Sequence, residues 1–304
     1  MDKKVFTVKS ECDELDLDVT VFEPENEIKG IFQISHGMAE HKERYYKFME
    51  HLAKNGYVAA INDHRGHGKS IKNNSDLGYF YDDRAEYIVE DLHQITKLIK
   101  KQYPNKPYIL FGHSMGSMVV RKYIKKYDNE IDKLIVCGSP SKNKYAKVGL
   151  NVAKLVESLK GEKYRSKFIQ KLAFGSYGSK KEKSENSWIC DNEETVNNYD
   201  KDELCGFIFT ANGFKNLFSL MIDIYDKNGW RLNNKNLPIL FIAGSNDPVI
   251  INKEKWIESQ EFLKDLGYKN IQNKLYEGMR HEILNEKESN LVYKDILVFC
   301  EKHI

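Results

Sequence analysis

This 304-residue chain lacks most of the features that mark a specialised binding, membrane or secreted protein. It has 47 Lys and Arg against 45 Asp and Glu, a formal net charge of +2, too small for nucleic acid to be the main partner. No stretch approaches the length of a transmembrane helix. The first residues, Met1-Asp-Lys-Lys-Val-Phe, carry no apolar run of signal-peptide length. The five cysteines, at positions 12, 137, 190, 205 and 300, fall in no metal-binding spacing, and an odd, scattered set suits a reducing compartment. A cytoplasmic location is therefore expected, with peripheral contact at a membrane surface left open. There is no internal repeat. What is present is an ordinary balance of 41% apolar and 30% charged residues, in a length that fits one domain with an insertion better than two independent domains.

Strand and helix patterns alternate along the chain. Strands are expected near 4–9, 16–22, 30–35, 57–62, 107–112, 133–138, 237–244 and 271–276. Helices are expected near 42–55, 83–102, 115–127, 252–266 and 287–302, and the second carries Ile88, Leu92, Ile95, Leu98 and Ile99 on one apolar face. This order predicts an α/β fold: a mostly parallel central sheet covered by helices on both faces, with antiparallel strands at the start. Cys137 falls within a strand pattern and is expected in the core.

The most informative segment is Tyr108-Ile-Leu-Phe-Gly-His-Ser-Met-Gly116. A buried strand runs into a tight turn, and an amphipathic helix follows at once. A serine at the tip of such a turn holds a strained backbone, and side chains two residues to either side would collide, which accounts for Gly112 and Gly116. The strain exposes the Ser114 hydroxyl and puts the Met115 N–H at a helix start. A serine needs a base, and the base an orienting acid, in the chain order Ser, Asp or Glu, His. Only His281 and His303 follow Ser114. His303, next to last, is expected on a fraying, solvated helix end, whereas His281 lies past a strand and a glycine turn. Asp247 ends the apolar run Leu237 to Ala243 and precedes Pro248, which favours an extended strand-end conformation. The strand Gly30 to Ser35 runs into His36-Gly37-Met38, and Met38 N–H joins Met115 N–H as an expected oxyanion donor.

These residues resemble the α/β-hydrolase superfamily, and within it the monoacylglycerol lipase and lysophospholipase group. The resemblance rests on His36-Gly-Met-Ala-Glu-His41 with Arg44-Tyr45, on Asn62-Asp-His-Arg-Gly-His-Gly-Lys-Ser70, on Gly112-His-Ser-Met-Gly116, and on Asn246-Asp-Pro248 with His281-Glu282. It implies Ser114, Asp247 and His281 as a triad and Met38 and Met115 as oxyanion donors. It implies a single-chain lipid ester as substrate, with no cofactor, metal or nucleic-acid partner. The loop Asp63 to Gly68 is expected to buttress the active face by hydrogen bonds rather than to bind metal. The alternatives are a small-acyl esterase or aminopeptidase of the same fold, or an inactive hydrolase-fold binding protein.

The expected division is a core over 1–140, an inserted helical cap over 141–235, and the rest of the core over 236–304. Residues 141–190 hold 12 Lys or Arg against 4 Glu, and 191–203 then run acidic. Tyr145, Val148, Val152, Leu155 and Leu159 recur at helical spacing. Two readings stand: a cap helix that packs this stripe on the core and solvates its lysines, or a lid that touches an anionic lipid surface. Phe207, Phe209, Phe214, Leu217, Phe218, Leu220 and Met221 are either acyl-pocket lining or plain core.

Overall fold

A computed structural model describes residues 1–175, 177 and 183–302. His303 lies outside the described residues.

Eight strands form one sheet: β1 (Asp2–Lys9), β2 (Asp16–Glu23), β3 (Gly30–Ser35), β4 (Tyr57–Asn62), β5 (Tyr108–His113), β6 (Lys133–Cys137), β7 (Ile239–Gly244) and β8 (Ile271–Tyr276). Their spatial order is β1-β2-β4-β3-β5-β6-β7-β8. The pairings of β2 with β1 and β4 are antiparallel, and all others are parallel. The central strands are apolar on both faces, and successive residues feed opposite cores. Ile31, Val58, Leu110, Val136 and Phe241 join one cluster with residues of α2 (Tyr87–Gln102), α3 (Met115–Tyr127) and α8 (Lys253–Leu266). Phe32, Ala59, Phe111, Ile135 and Ile242 join the other with α1 (Tyr46–Lys54) and α9 (Ser289–Glu301). Burial of each such large side chain contributes roughly 1.5–3 kcal/mol, against about 0.5–1.5 kcal/mol net for a ladder hydrogen bond. The two apolar layers therefore dominate the stability of the sheet.

Two helices start later than their periodicity suggests. The 42–55 pattern splits into a tight turn, Lys42–Tyr45, and α1. The 83–102 pattern begins at Tyr87, because Ala85 has φ 54° and the Asp82 carboxylate caps the N–H groups of Glu86 and Tyr87 at 2.7 and 3.0 Å.

Between β6 and β7 the chain leaves the sheet and forms an inserted helical cap of α4 (Ala146–Lys160), α5 (Lys167–Phe174), α6 (Glu193–Lys201) and α7 (Ala211–Asp223). Of the two readings of the stripe, packing on the core holds only at Val152, which is half-buried. Tyr145, Val148, Leu155 and Leu159 are exposed, at 64%, 55%, 59% and 71%, and the face of α4 that turns inward is Ala146, Gly149 and Ala153. Small residues let α4 approach α7 closely: a Cβ at Gly149 would stand 2.6 Å from the Phe218 ring. The large stripe residues other than Val152 are left exposed. The phenylalanine-rich segment divides. Phe209, Phe214 and Leu220 are buried core, while Phe207, Leu217, Phe218 and Met221 line a cavity.

Candidate active site

The strand order places the site. β3 is flanked by β4 on one side and β5 on the other, so the chain crosses over at this point, and crevices form at the carboxyl ends of strands where the order reverses. Pairing of Ser35 with Gly112 brings the loop after β3 beside the turn after β5.

That turn is strained. Ser114 has φ 53° and ψ −118° between the last strand residue and the first residue of α3. Its N–H is held by the Cys137 carbonyl at 3.0 Å. A Cβ at Gly112 would strike the Gly116 carbonyl, and one at Gly116 would strike the Ser35 carbonyl. Both glycines are thus required by close approach of backbone to backbone. Met38 and Met115 line the cavity that Ser114 faces. Among the described residues, neither the Met38 N–H nor the Met115 N–H has a hydrogen-bond partner.

Asp247 follows β7 and His281 follows β8. The Asp247 Oδ2 and the His281 Nδ1 are 2.9 Å apart, and both residues are buried. The other Asp247 oxygen accepts the Val249 N–H at 2.8 Å. The loop after β6 passes close beneath: a Cβ at Gly138 would lie 3.1 Å from His281 and 3.3 Å from Asp247. His281 lines the same cavity as Ser114, although among the described residues no hydrogen bond joins their side chains.

A buried charge network surrounds this arrangement. Arg44 donates two bonds to Glu282, at 2.7 and 2.6 Å, and one to Glu40 at 2.6 Å. Glu40 also accepts the Gly37 N–H at 2.5 Å and the Tyr45 hydroxyl at 2.8 Å. His113 Nε2 lies 3.2 Å from the His281 carbonyl, and its Nδ1 is 3.6 Å from Glu40. Burial opposes ionisation of Glu40, yet His113 and the Arg44 charge outweigh it and hold the carboxyl well below its usual range. Burial likewise opposes the His113 cation, and Glu40 outweighs it and raises that pKa. The network ties the loop after β3 to the loop that carries His281. Sequence reading noticed Glu40 and Arg44 beside the glycine turn but missed their partner. Glu282 is 238 residues from Arg44, and no local pattern reports such a pair.

The loop Asp63 to Gly68 acts as the expected buttress. The His64 N–H donates to His36 Nε2 at 2.9 Å, and His36 Nδ1 then donates to the Gly37 carbonyl at 2.8 Å. Arg65 is held by Asp91 and Asp13.

The cavity measures about 290 Å³. Its apolar lining includes Met118, Val148, Phe174, Leu217, Phe218 and Met221. Its polar lining includes Ser114 with the buried Glu40, His113, His281 and Glu282. Trp188 stands 5.2 Å from the His281 ring, centroid to centroid.

A mostly parallel eight-stranded sheet with helices on both faces, a strained serine turn after β5 and an inserted helical cap define an α/β-hydrolase. The model of the Hydrolase_4 family, described as serine aminopeptidase S33, matches residues 26–288, and the chain belongs to that family. It is similar to a monoacylglycerol lipase of Mycolicibacterium smegmatis, 25% identical over 285 residues that cover 93% of this chain and 92% of that one. A monoglyceride lipase homolog of Monkeypox virus is 27% identical over 277 residues, covering 91% and 89%. Among solved structures, a highly thermostable carboxyl esterase from Bacillus coagulans in complex with glycerol superposes with a TM-score of 0.91 at 27% identity, covering 99% of this chain and 98% of that one.

Proposed function

We propose that the protein is a serine hydrolase that cleaves carboxylic esters of single-chain lipids, monoacylglycerols or lysophospholipids, through an acyl-enzyme. The observation that carries this reading is the apolar chamber opening onto Ser114 and His281. Ser114 attacks the ester carbonyl while His281 Nε2 takes its proton. Asp247 holds the imidazole with its proton on Nδ1 and stabilises the imidazolium. The unpartnered Met38 and Met115 N–H groups receive the oxyanion. His281 then protonates the leaving alcohol, and water releases the acid by the same route.

The family description makes an aminopeptidase the main rival. Such an enzyme must hold a substrate ammonium on a carboxylate. Among the described residues the carboxylates lining the cavity are Glu40 and Glu282, and both are engaged by Arg44. That favours an uncharged polar group against this polar lining, as in a glycerol ester. In this reading residues 141–235 form the cap, and its described residues Tyr145, Val148, Phe174, Leu217 and Met221 line the acyl chamber.

The cap also supports peripheral contact with lipid. Tyr145, Val148, Leu155 and Leu159 continue into Phe168 and Leu172 of α5, all exposed, and Tyr145, Val148 and Leu172 also line the cavity. Exposed Lys144, Lys147, Lys154, Lys167 and Lys171 flank this surface. An apolar face with lysines around it is the composition of an interfacial helix. Among the described residues no helix is long and apolar enough to cross a membrane.

The reading is tested by kcat/KM across acyl glycerols and lysophospholipids of increasing chain length, with aminoacyl amides in parallel. Ester turnover that rises with chain length supports it, and turnover confined to the amides overturns it.

A further inference from the structure

We propose that His41, Asp202 and Cys205 form a binding site for a thiophilic divalent metal ion of the zinc class. The three side chains come from two distant segments, the loop after β3 and the turn that follows α6. Their ligand atoms all lie within 4.8 Å of one another. His41 Nε2 and Asp202 Oδ2 are 2.8 Å apart.

The donor set is one imidazole, one carboxylate and one thiol. Zinc takes these ligands at about 2.0–2.3 Å, and a site with three protein ligands keeps its fourth position for water. Tetrahedral ligands at those lengths stand about 3.3–3.7 Å apart, so the 2.8 Å His41–Asp202 pair must open and a separation near 4.8 Å must close by roughly 1 Å. Asp202 and Cys205 are three apart on one turn, with the Cys205 N–H donating to the Asp202 carbonyl at 2.9 Å. The other carboxylate oxygen, Oδ1, accepts the Leu204 N–H at 2.9 Å, so it is Oδ2 that would exchange its His41 partner for an ion. His41 and Cys205 are 7% and 9% exposed, while the Asp202 side chain is 34% exposed, so the open side faces solvent.

The electrostatics favour a cation. Glu40, Glu282 and Asp202 contribute three carboxylates to this neighbourhood. Arg44, the nearby guanidinium, is committed between Glu40 and Glu282. On binding, the Cys205 thiol releases its proton to solvent as the sulfur–metal bond forms. The proton that His41 Nε2 shares with Asp202 Oδ2 also leaves, to solvent or to Nδ1, so that Nε2 offers its lone pair and Asp202 binds through Oδ2. The Gly206 N–H already holds the Ala39 carbonyl at 2.9 Å. The ion would fasten the cap turn to the loop that carries Met38.

The test uses the full chain stripped with a chelator. Zinc chloride is added in a calorimeter, and cobalt(II) chloride in a spectrophotometer. The proposal expects one saturable site, proton release, and a thiolate-to-cobalt charge-transfer band. All three disappear in Cys205→Ala and persist in Cys12→Ala. His41→Gln and Asp202→Asn weaken zinc binding at least as much as the roughly 10–100-fold cost of losing an outer-shell partner. Absence of saturable binding to the unaltered chain overturns the proposal, and so does unchanged binding by folded Cys205→Ala. Should Cys205→Ala fail to fold, zinc protection of Cys205 from a maleimide in the unaltered chain decides, read by peptide mapping. A labelling rate that zinc does not slow overturns the proposal.

Discussion

Asp247 Oδ2 accepts the Nδ1–H of His281 at 2.9 Å, across 34 residues of sequence and at the ends of adjacent parallel strands. A carboxylate can only accept here, so an imidazole proton is held on Nδ1, which leaves Nε2 for the base role proposed for it.

Asp247→Asn should keep the geometry and lose the tautomer, because the amide nitrogen can donate to Nδ1. Ester kcat is expected to fall about 10⁴-fold with the fold intact. Steady-state kinetics with a circular-dichroism check measures this, and a loss under about tenfold would remove Asp247 from the mechanism.

The turn at Ser114, the run ending in Asp247 and the loop of His281 were legible because each is a local pattern: a strand signal followed by a turn. The direction of the α4 stripe was not. Helical spacing announces that an apolar face exists but does not say where it points. The deciding contact, Gly149 against Phe218, joins residues that look unremarkable in sequence. The His41, Asp202 and Cys205 group was invisible for the same reason as the Arg44 and Glu282 pair, since His41 and Asp202 are 161 residues apart.

Three fully buried histidines set an acid limit on stability. Burial drives the His36 pKa well below its ordinary 6.5, that of His64 to about 3 and that of His67 to about 4. The folded state keeps them neutral where the unfolded state takes up protons. Stability is therefore fully present above about pH 6.5 and is lost as pH falls toward the folded values, by up to about 1.4 kcal/mol per pH unit for each histidine. Thermal melts from pH 7 to pH 4 should show Tm level down to about pH 6.5 and falling below it. His67→Asn should flatten the slope, and an unchanged slope would mean that other groups set it.

The exposed cap surface predicts association with anionic vesicles. Leu155→Ser with Leu159→Ser should weaken co-sedimentation. So should charge reversal at Lys144, Lys147 and Lys154, with an effect that shrinks in salt because exposed charges are screened within about 10 Å at 0.1 M. If neither set of changes reduces vesicle binding, the cap surface is merely solvated.

The central claim is that Ser114 is the nucleophile, and the most direct measurement is covalent capture. A fluorophosphonate probe, followed by peptide mapping, should place one adduct on Ser114. Ser114→Ala should take no label and lose roughly four or more orders of magnitude in ester kcat while staying folded. An adduct on another residue, or a folded Ser114→Ala protein that still turns over ester, would contradict the account.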